Sequence, residues 1–204
     1  MHLLKVSIII FTLSGCSIIT SLLFVTSCAA TSPQLNLGTP VNIYGVSSLS
    51  PQNGSWSVIT STGYLVVLGT KLNDNSSGII NMSLYQLPEF YSDQEFLSHV
   101  VKHRASSADI GRFELKQNTE ELVKLNGATC VKHTTISQDN NAKIDSNKSA
   151  SMQIEYLGYN CIHPFKKSVG VHTEYSFRHF KDKGHPELTK NAEEFFSNIQ
   201  FNEL

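Results

Sequence analysis

The sequence predicts an α+β domain: an antiparallel β-sheet with two helices packed on it, preceded by a signal segment and a tether. Three observations carry this. Runs rich in β-branched and aromatic residues recur with short turn clusters between them, so consecutive strands are expected to pair as hairpins rather than through βαβ crossovers. Two segments instead space their apolar residues at helical intervals. The chain also opens on a long uncharged apolar run, residues 6–25, that stands apart from everything after it.

The elements follow in order. Residues 56–60, 64–72 and 79–87 are β-rich and separated by the turn-forming clusters Ser-Thr-Gly and Asn-Asp-Asn-Ser-Ser-Gly, which makes them an antiparallel meander. Ser92-Asp93-Gln94-Glu95 is a capping-box sequence, and Phe96, Leu97, Val100 and Val101 continue it at helical spacing, predicting a helix from Ser92 to about Ser106. Arg104 then falls near the centre of that helix's apolar stripe. Either the helix has frayed by that point or Arg104 reaches across to a carboxylate. Residues 112–117, 122–125, 128–138, 152–163 and 169–180 read as further strands. The last helix is predicted over 187–198, with Leu188, Ala192, Phe195, Phe196 and Ile199 inward.

The closing stretch, Val171-His172-Thr173-Glu174-Tyr175-Ser176-Phe177-Arg178 and then 187–201 with its Glu-Glu-Phe-Phe-Ser-Asn-Ile-Gln-Phe ending, resembles the C-terminal half of PsbP/Mog1-like domains. The resemblance covers the final third of the chain and is one of fold. It implies the PsbP/Mog1-like sandwich, carries no site residues across, and points to a group whose bacterial members are often lipoproteins of unassigned function.

The apolar run would span a bilayer core as a helix, so an uncleaved anchor is one reading. Leu13-Ser14-Gly15-Cys16 and Val25-Thr26-Ser27-Cys28 instead resemble the bacterial lipobox, whose Cys becomes the lipidated N-terminus. Cleavage before Cys16 would leave greasy residues and an odd thiol count, whereas cleavage before Cys28 removes the whole run and leaves Cys130 and Cys161 as an even pair. Cys28 is therefore the preferred lipidation site and Cys16 the alternative. On this division residues 1–28 are the lipoprotein signal segment and 55–204 the α+β domain. Residues 29–54, rich in Ser, Pro, Gly and Asn, form a flexible tether reaching on the order of 30 Å.

The chain has 204 residues with 16 Lys and Arg against 17 Asp and Glu, a net charge of -1. That balance excludes a nucleic-acid partner, which needs a cationic surplus to displace counterions. Charged residues are 16% of the chain, below the ~25% usual for soluble domains, so solubility rests on neutral polar groups.

Cys130 and Cys161 lie in strands joined by the polar run 139–151. Opposed residues of a hairpin are equidistant from its turn, and the midpoint of the two cysteines falls inside that run. They should face each other closely enough for a disulfide. A competing zinc set, Cys130-x-x-His133 with Cys161-x-His163, has the right donors, but residues three apart on a strand point to opposite faces.

His99 and His103, four apart on the predicted helix, share the spacing of paired metal ligands without the Glu of H-E-x-x-H. His163 and His172 flank a turn, and a one-residue register shift would decide whether they share a face. These four are the metal candidates. No nucleophile elbow, phosphate-cradling Gly loop or cofactor-binding motif is present. The expectation is a lipid-anchored cell-envelope protein, outer membrane facing the periplasm favoured because neither Ser17 nor Ala29 is the Asp that retains lipoproteins at the inner membrane. Its domain would be a non-enzymatic binding or assembly module for an envelope protein or small ligand. The alternative is a small metal-dependent or hydrolytic periplasmic enzyme built on scattered histidines.

Overall fold

The computed structural model describes residues 34–73, 75–107, 111–144, 148–180 and 186–204. Cys16, Cys28 and the apolar run lie outside the described residues.

Two short strands come first, β1 (Pro40–Ile43) and β2 (Val46–Leu49), followed by β3 (Trp56–Ser61), β4 (Leu65–Asn73) and β5 (Ser76–Gln86). Helix α1 (Asp93–Ser107) then leads to β6 (Phe113–Leu125), β7 (Ala128–Lys143), β8 (Ser149–Ile162) and β9 (Val169–His179), and the chain closes with α2 (Pro186–Ser197) and β10 (Gln200–Phe201). Strands β3 to β9 form one seven-stranded antiparallel sheet in the order β3-β4-β5-β9-β8-β7-β6. Every pairing but one is a hairpin, as the short turns predict. The exception is β5 with β9, which closes the sheet after the chain has run through α1 to the far edge and returned.

The two faces of the sheet are covered differently. One carries the main core, in which Trp56, Leu68, Ile80, Met82, Tyr175 and Phe177 meet Leu188, Ala192, Phe195 and Phe196 of α2. Side chains of this size contribute about 1.5–3 kcal/mol each when fully buried. The other carries α1 on a smaller cluster of Leu87, Phe96, Val100 and Val131.

The tether expected over 29–54 requires correction. From Gln34 onward this stretch belongs to the fold: Val41, Ile43 and Val46 are buried in the main core, and β2 pairs with both β1 and β10. Ser48 also donates its hydroxyl to the Phe195 carbonyl at 2.5 Å. Its Ser- and Pro-rich composition hides strands only four residues long, held by a partner strand at the other end of the chain. A second difference concerns 112–125. The sequence predicts two strands there, whereas β6 is one, with a bulge between Leu115 and Gln117. As an edge strand it tolerates the polar stretch 117–121 without interruption.

Ser92 caps α1 as its sequence predicts, its Oγ accepting from the Glu95 N–H at 3.2 Å, whereas the Glu95 carboxylate accepts from the Tyr91 N–H, one residue ahead of the cap, at 2.9 Å. The β6–β7 turn is Asn126-Gly127, both at positive φ (47° and 86°), the conformation that Asn-Gly adopts readily in two-residue hairpins. Beyond that turn, Cys130 and Cys161 are directly opposed and joined in a disulfide.

Candidate functional site

Strand alternation gives β7 two unlike faces. Cys130 points into the main core, while Val131, His133 and Thr135 point to the α1 side. Sheet register then aligns Glu120 of β6, His133 of β7, Gly158 of β8, Glu174 of β9 and Asn81 of β5 in one row across the sheet. Gly158 makes the row work. A Cβ there would lie 2.6 Å from the Thr173 carbonyl oxygen and 2.7 Å from the His133 ring. Because that space is empty, His133 lies over β8 and donates from Nε2 to Glu174 Oε2, two strands away, at 2.8 Å.

Arg104 comes down from α1 onto the same row. Its Nε donates to Glu120 Oε1 at 3.1 Å, Nη1 to Glu174 Oε2 at 3.3 Å and Nη2 to Thr135 Oγ at 3.0 Å. The Thr135 hydroxyl in turn donates to Asn118 Oδ1 at 2.7 Å. Of the two readings open for Arg104, the reach across to a carboxylate is the one the structure adopts, and it engages two carboxylates.

Burial, helped by the Arg104 charge, pushes the His133 pKa below its ordinary value in spite of the bond to Glu174. The ring is therefore neutral at pH 7, with its proton on Nε2 and with Nδ1 buried and unpartnered. Burial alone would raise Glu174, but the His133 hydrogen bond and the positive charges around it hold its carboxyl below the usual range. His172 is also pushed down, first by burial and then by His133, Arg104 and His103, against the pull of Glu174. Its Nδ1 donates to Asn160 Oδ1 at 3.1 Å, and the Tyr85 hydroxyl donates to the same oxygen at 3.4 Å. The Tyr85 ring crosses β9 over Gly170, where a Cβ would meet it at 2.4 Å. Two glycines thus let side chains cross neighbouring strands on this face.

Chemically this is a latch. The carboxylates of Glu120 and Glu174 are taken up by Arg104 and His133, and the Thr135 hydroxyl sits between the Arg104 guanidinium and the Asn118 amide oxygen. The network ties α1 to β6, β7 and β9 at once.

The four metal candidates are divided between two faces. His99 packs edge-on against Phe90 at 5.2 Å and stacks with His103 at 6.4 Å. His172 faces the α1 side, with its ring parallel to that of His133 at 6.3 Å. His163 is buried on the opposite side, where Nε2 donates to the Gly45 carbonyl at 3.1 Å and Nδ1 accepts from the Phe165 N–H at 3.3 Å. The register Asn160 to His172 settles what the sequence left open. Among the described residues no group of three His, Cys, Asp or Glu side chains is placed to hold a metal ion. The Cys2His2 set is dispersed, since Cys130 and Cys161 are bonded to each other and His133 faces away from both. Glu174, Glu120, Asn160 and Tyr85 were not singled out from the sequence. Their signal is the polar half of each strand's alternation, His172-x-Glu174-x-Ser176-x-Arg178 above all, which by itself reads as a solvent face.

No family model matches the chain, and neither does any curated protein. Among solved structures it is similar in fold to a protein of Bacteroides thetaiotaomicron VPI-5482, with 13% identity and a TM-score of 0.45 over 82% of this chain and 50% of that one. It is also similar in fold to cyanobacterial PsbP (CyanoP) from Synechocystis sp. PCC 6803, with 11% identity and a TM-score of 0.43 over 85% of this chain and 98% of that one. The chain spans half the length of the B. thetaiotaomicron protein. Among the described residues no helix is long and apolar enough to cross a membrane.

Proposed function

We propose that this chain is a lipid-anchored protein of the bacterial cell envelope whose single α+β domain is a non-enzymatic binding or assembly module. The observation that carries the reading is the Cys130–Cys161 disulfide. A bridge between facing strands is kept in an oxidising compartment and lost in a reducing one, and the apolar run ahead of Cys28 is the kind of segment that delivers a chain there. The latch supports the non-enzymatic part, because its ionised groups are spent on one another and on holding α1. Partners on this reading are the membrane, through a lipid on Cys28, and an envelope protein or small ligand.

Because Gln34 already belongs to the fold, a lipid on Cys28 would hold the domain within about 20 Å of the bilayer even with the intervening residues fully extended. The test is metabolic labelling of the full chain with a palmitate analogue in a bacterial host, together with the intact mass of the mature protein. The reading expects a lipidated N-terminus at Cys28, lost in Cys28→Ser, and no free thiols until reductant is added. A lipidated Cys16 would move the anchor. An unlipidated chain in which Cys130 and Cys161 both titrate before reductant is added would overturn the proposal.

A further inference from the structure

Among the described residues every exposed aromatic side chain lies at one end of the molecule. Tyr44 (59% exposed) is in the β1–β2 turn, Tyr64 (67%) in the β3–β4 turn, Tyr91 (88%) in the β5–α1 connection and Phe165 (58%) in the β8–β9 turn. Antiparallel register brings these four separate connections to the same end of the sheet. Tyr44 is tied to the β3–β4 turn directly, its N–H donating to the Gly63 carbonyl at 2.7 Å.

The aromatics flank two grooves on either side of the β8–β9 turn. The larger, about 580 Å³, has Phe90, Tyr91 and Pro164 as apolar walls and Glu89, Asp93 and Lys167 as charged ones. The smaller, about 350 Å³, is lined by Tyr44, Tyr64, Leu84 and Lys166 among others. Both fall in the range of ligand sites. Their walls are fixed. The Tyr91 N–H is held by the Glu95 carboxylate, and Phe90 packs against Phe96 at 5.3 Å. The β8–β9 turn is closed by Lys166 N–H to the His163 carbonyl at 3.1 Å and Val169 N–H to the Lys166 carbonyl at 2.9 Å. Rings kept exposed by an ordered backbone lose little further freedom on binding, which is what a preorganised surface needs.

We propose that this end of the domain binds an oligosaccharide. A pyranose ring offers an apolar C–H face to an aromatic ring and hydroxyls at its rim to carboxylates and an ammonium, and the larger groove presents both kinds of wall. Glu89 and Asp93 line the groove together with Lys167, and Lys124 Nζ stands 3.8 Å from Asp93, so the charges balance and the groove favours a neutral polyhydroxyl ligand over an ion. The same two carboxylates make the groove a poor seat for a bilayer, because charges moved into the hydrocarbon are costly. The inference deepens the binding-module reading and rests on it. Lipid attachment can fail in the labelling experiment without touching it, and sugar binding can fail with the lipid in place.

The experiment is calorimetric titration of the full chain in detergent micelles with chitotetraose, cellotetraose and maltotetraose. At least one is expected to bind saturably. Tyr91→Ala should weaken that binding about tenfold, the scale of one buried aromatic contact, while Tyr91→Phe, which keeps the ring, should bind nearly as the parent does. Because Tyr91 is exposed, both variants should retain the fold, which circular dichroism checks. No saturable binding of any of the three, or binding indifferent to Tyr91→Ala, would overturn the proposal. So would slowed amide exchange in the 163–168 turn when the sugar-free chain is moved from micelles to lipid nanodiscs, since that result makes the bilayer the occupant.

Discussion

Gly158→Ala is the sharpest test of the latch, because it adds a single methyl group at the one position the network requires to be empty. The new Cβ would sit 2.6 Å from the Thr173 carbonyl oxygen and 2.7 and 2.8 Å from Cε1 and Nε2 of His133. The first contact is to backbone and cannot be relieved by a side-chain rotation. The second falls on the atom that bonds Glu174 at 2.8 Å, so the ring must leave and the hydrogen bond goes with it. Overpacking costs about 1–3 kcal/mol, and loss of a hydrogen bond to a charged group about 1.5–3 kcal/mol. The smaller entropy of an unfolded chain with Ala in place of Gly returns about 0.4–1 kcal/mol. The net expectation is a loss on the order of 3 kcal/mol. Urea denaturation with the disulfide intact measures it as a lowered midpoint at unchanged slope. In a His133→Ala background the same substitution should cost less, since only the Thr173 contact remains. Stability within about 0.5 kcal/mol of the parent, the range of ordinary surface changes, would refute the reasoning, as would full additivity of the two substitutions.

Two further predictions concern the sheet and its charges. Replacing Cys130 and Cys161 by Ala opens a loop whose ends are 31 residues apart and should cost about 3–4 kcal/mol in chain entropy; denaturation of the parent with and without reductant should show the same loss. Acidification from neutral pH should destabilise the fold. The folded-state pKa values of His133 and His172 lie below their ordinary 6.5, so the unfolded chain binds protons first and stability falls once the pH drops below about 6.5. Glu174, also depressed, adds a loss of the same sign at lower pH, below the ordinary carboxylate range. Thermal midpoints measured from pH 7.5 to 5 should fall in the parent and fall less steeply in His133→Gln; a parent midpoint that rises on acidification would contradict the assignment of a neutral His133.

How much of this was legible depends on whether a feature is local. The strands of the large sheet show in period-two runs bounded by turn clusters, and α2 shows in its apolar spacing, because each of those signals sits inside the element it defines. Strands β1 and β2 have no such signal. Four residues each, in a Ser- and Pro-rich stretch, they are strands because β10 and the core receive Val41, Ile43 and Val46, and strand formation of that kind is decided by tertiary partners rather than by propensity. The latch lies between these cases. The hairpin symmetry that set Cys130 against Cys161 also sets His133 against Gly158, and the next hairpin sets Gly158 against Glu174. A glycine inside a strand, flanked in register by a basic and an acidic side chain, marks a place where those side chains meet over it. What no strand pattern contains is the helix docking that brings Arg104 down onto the row and so makes a polar face part of the interior rather than part of the surface.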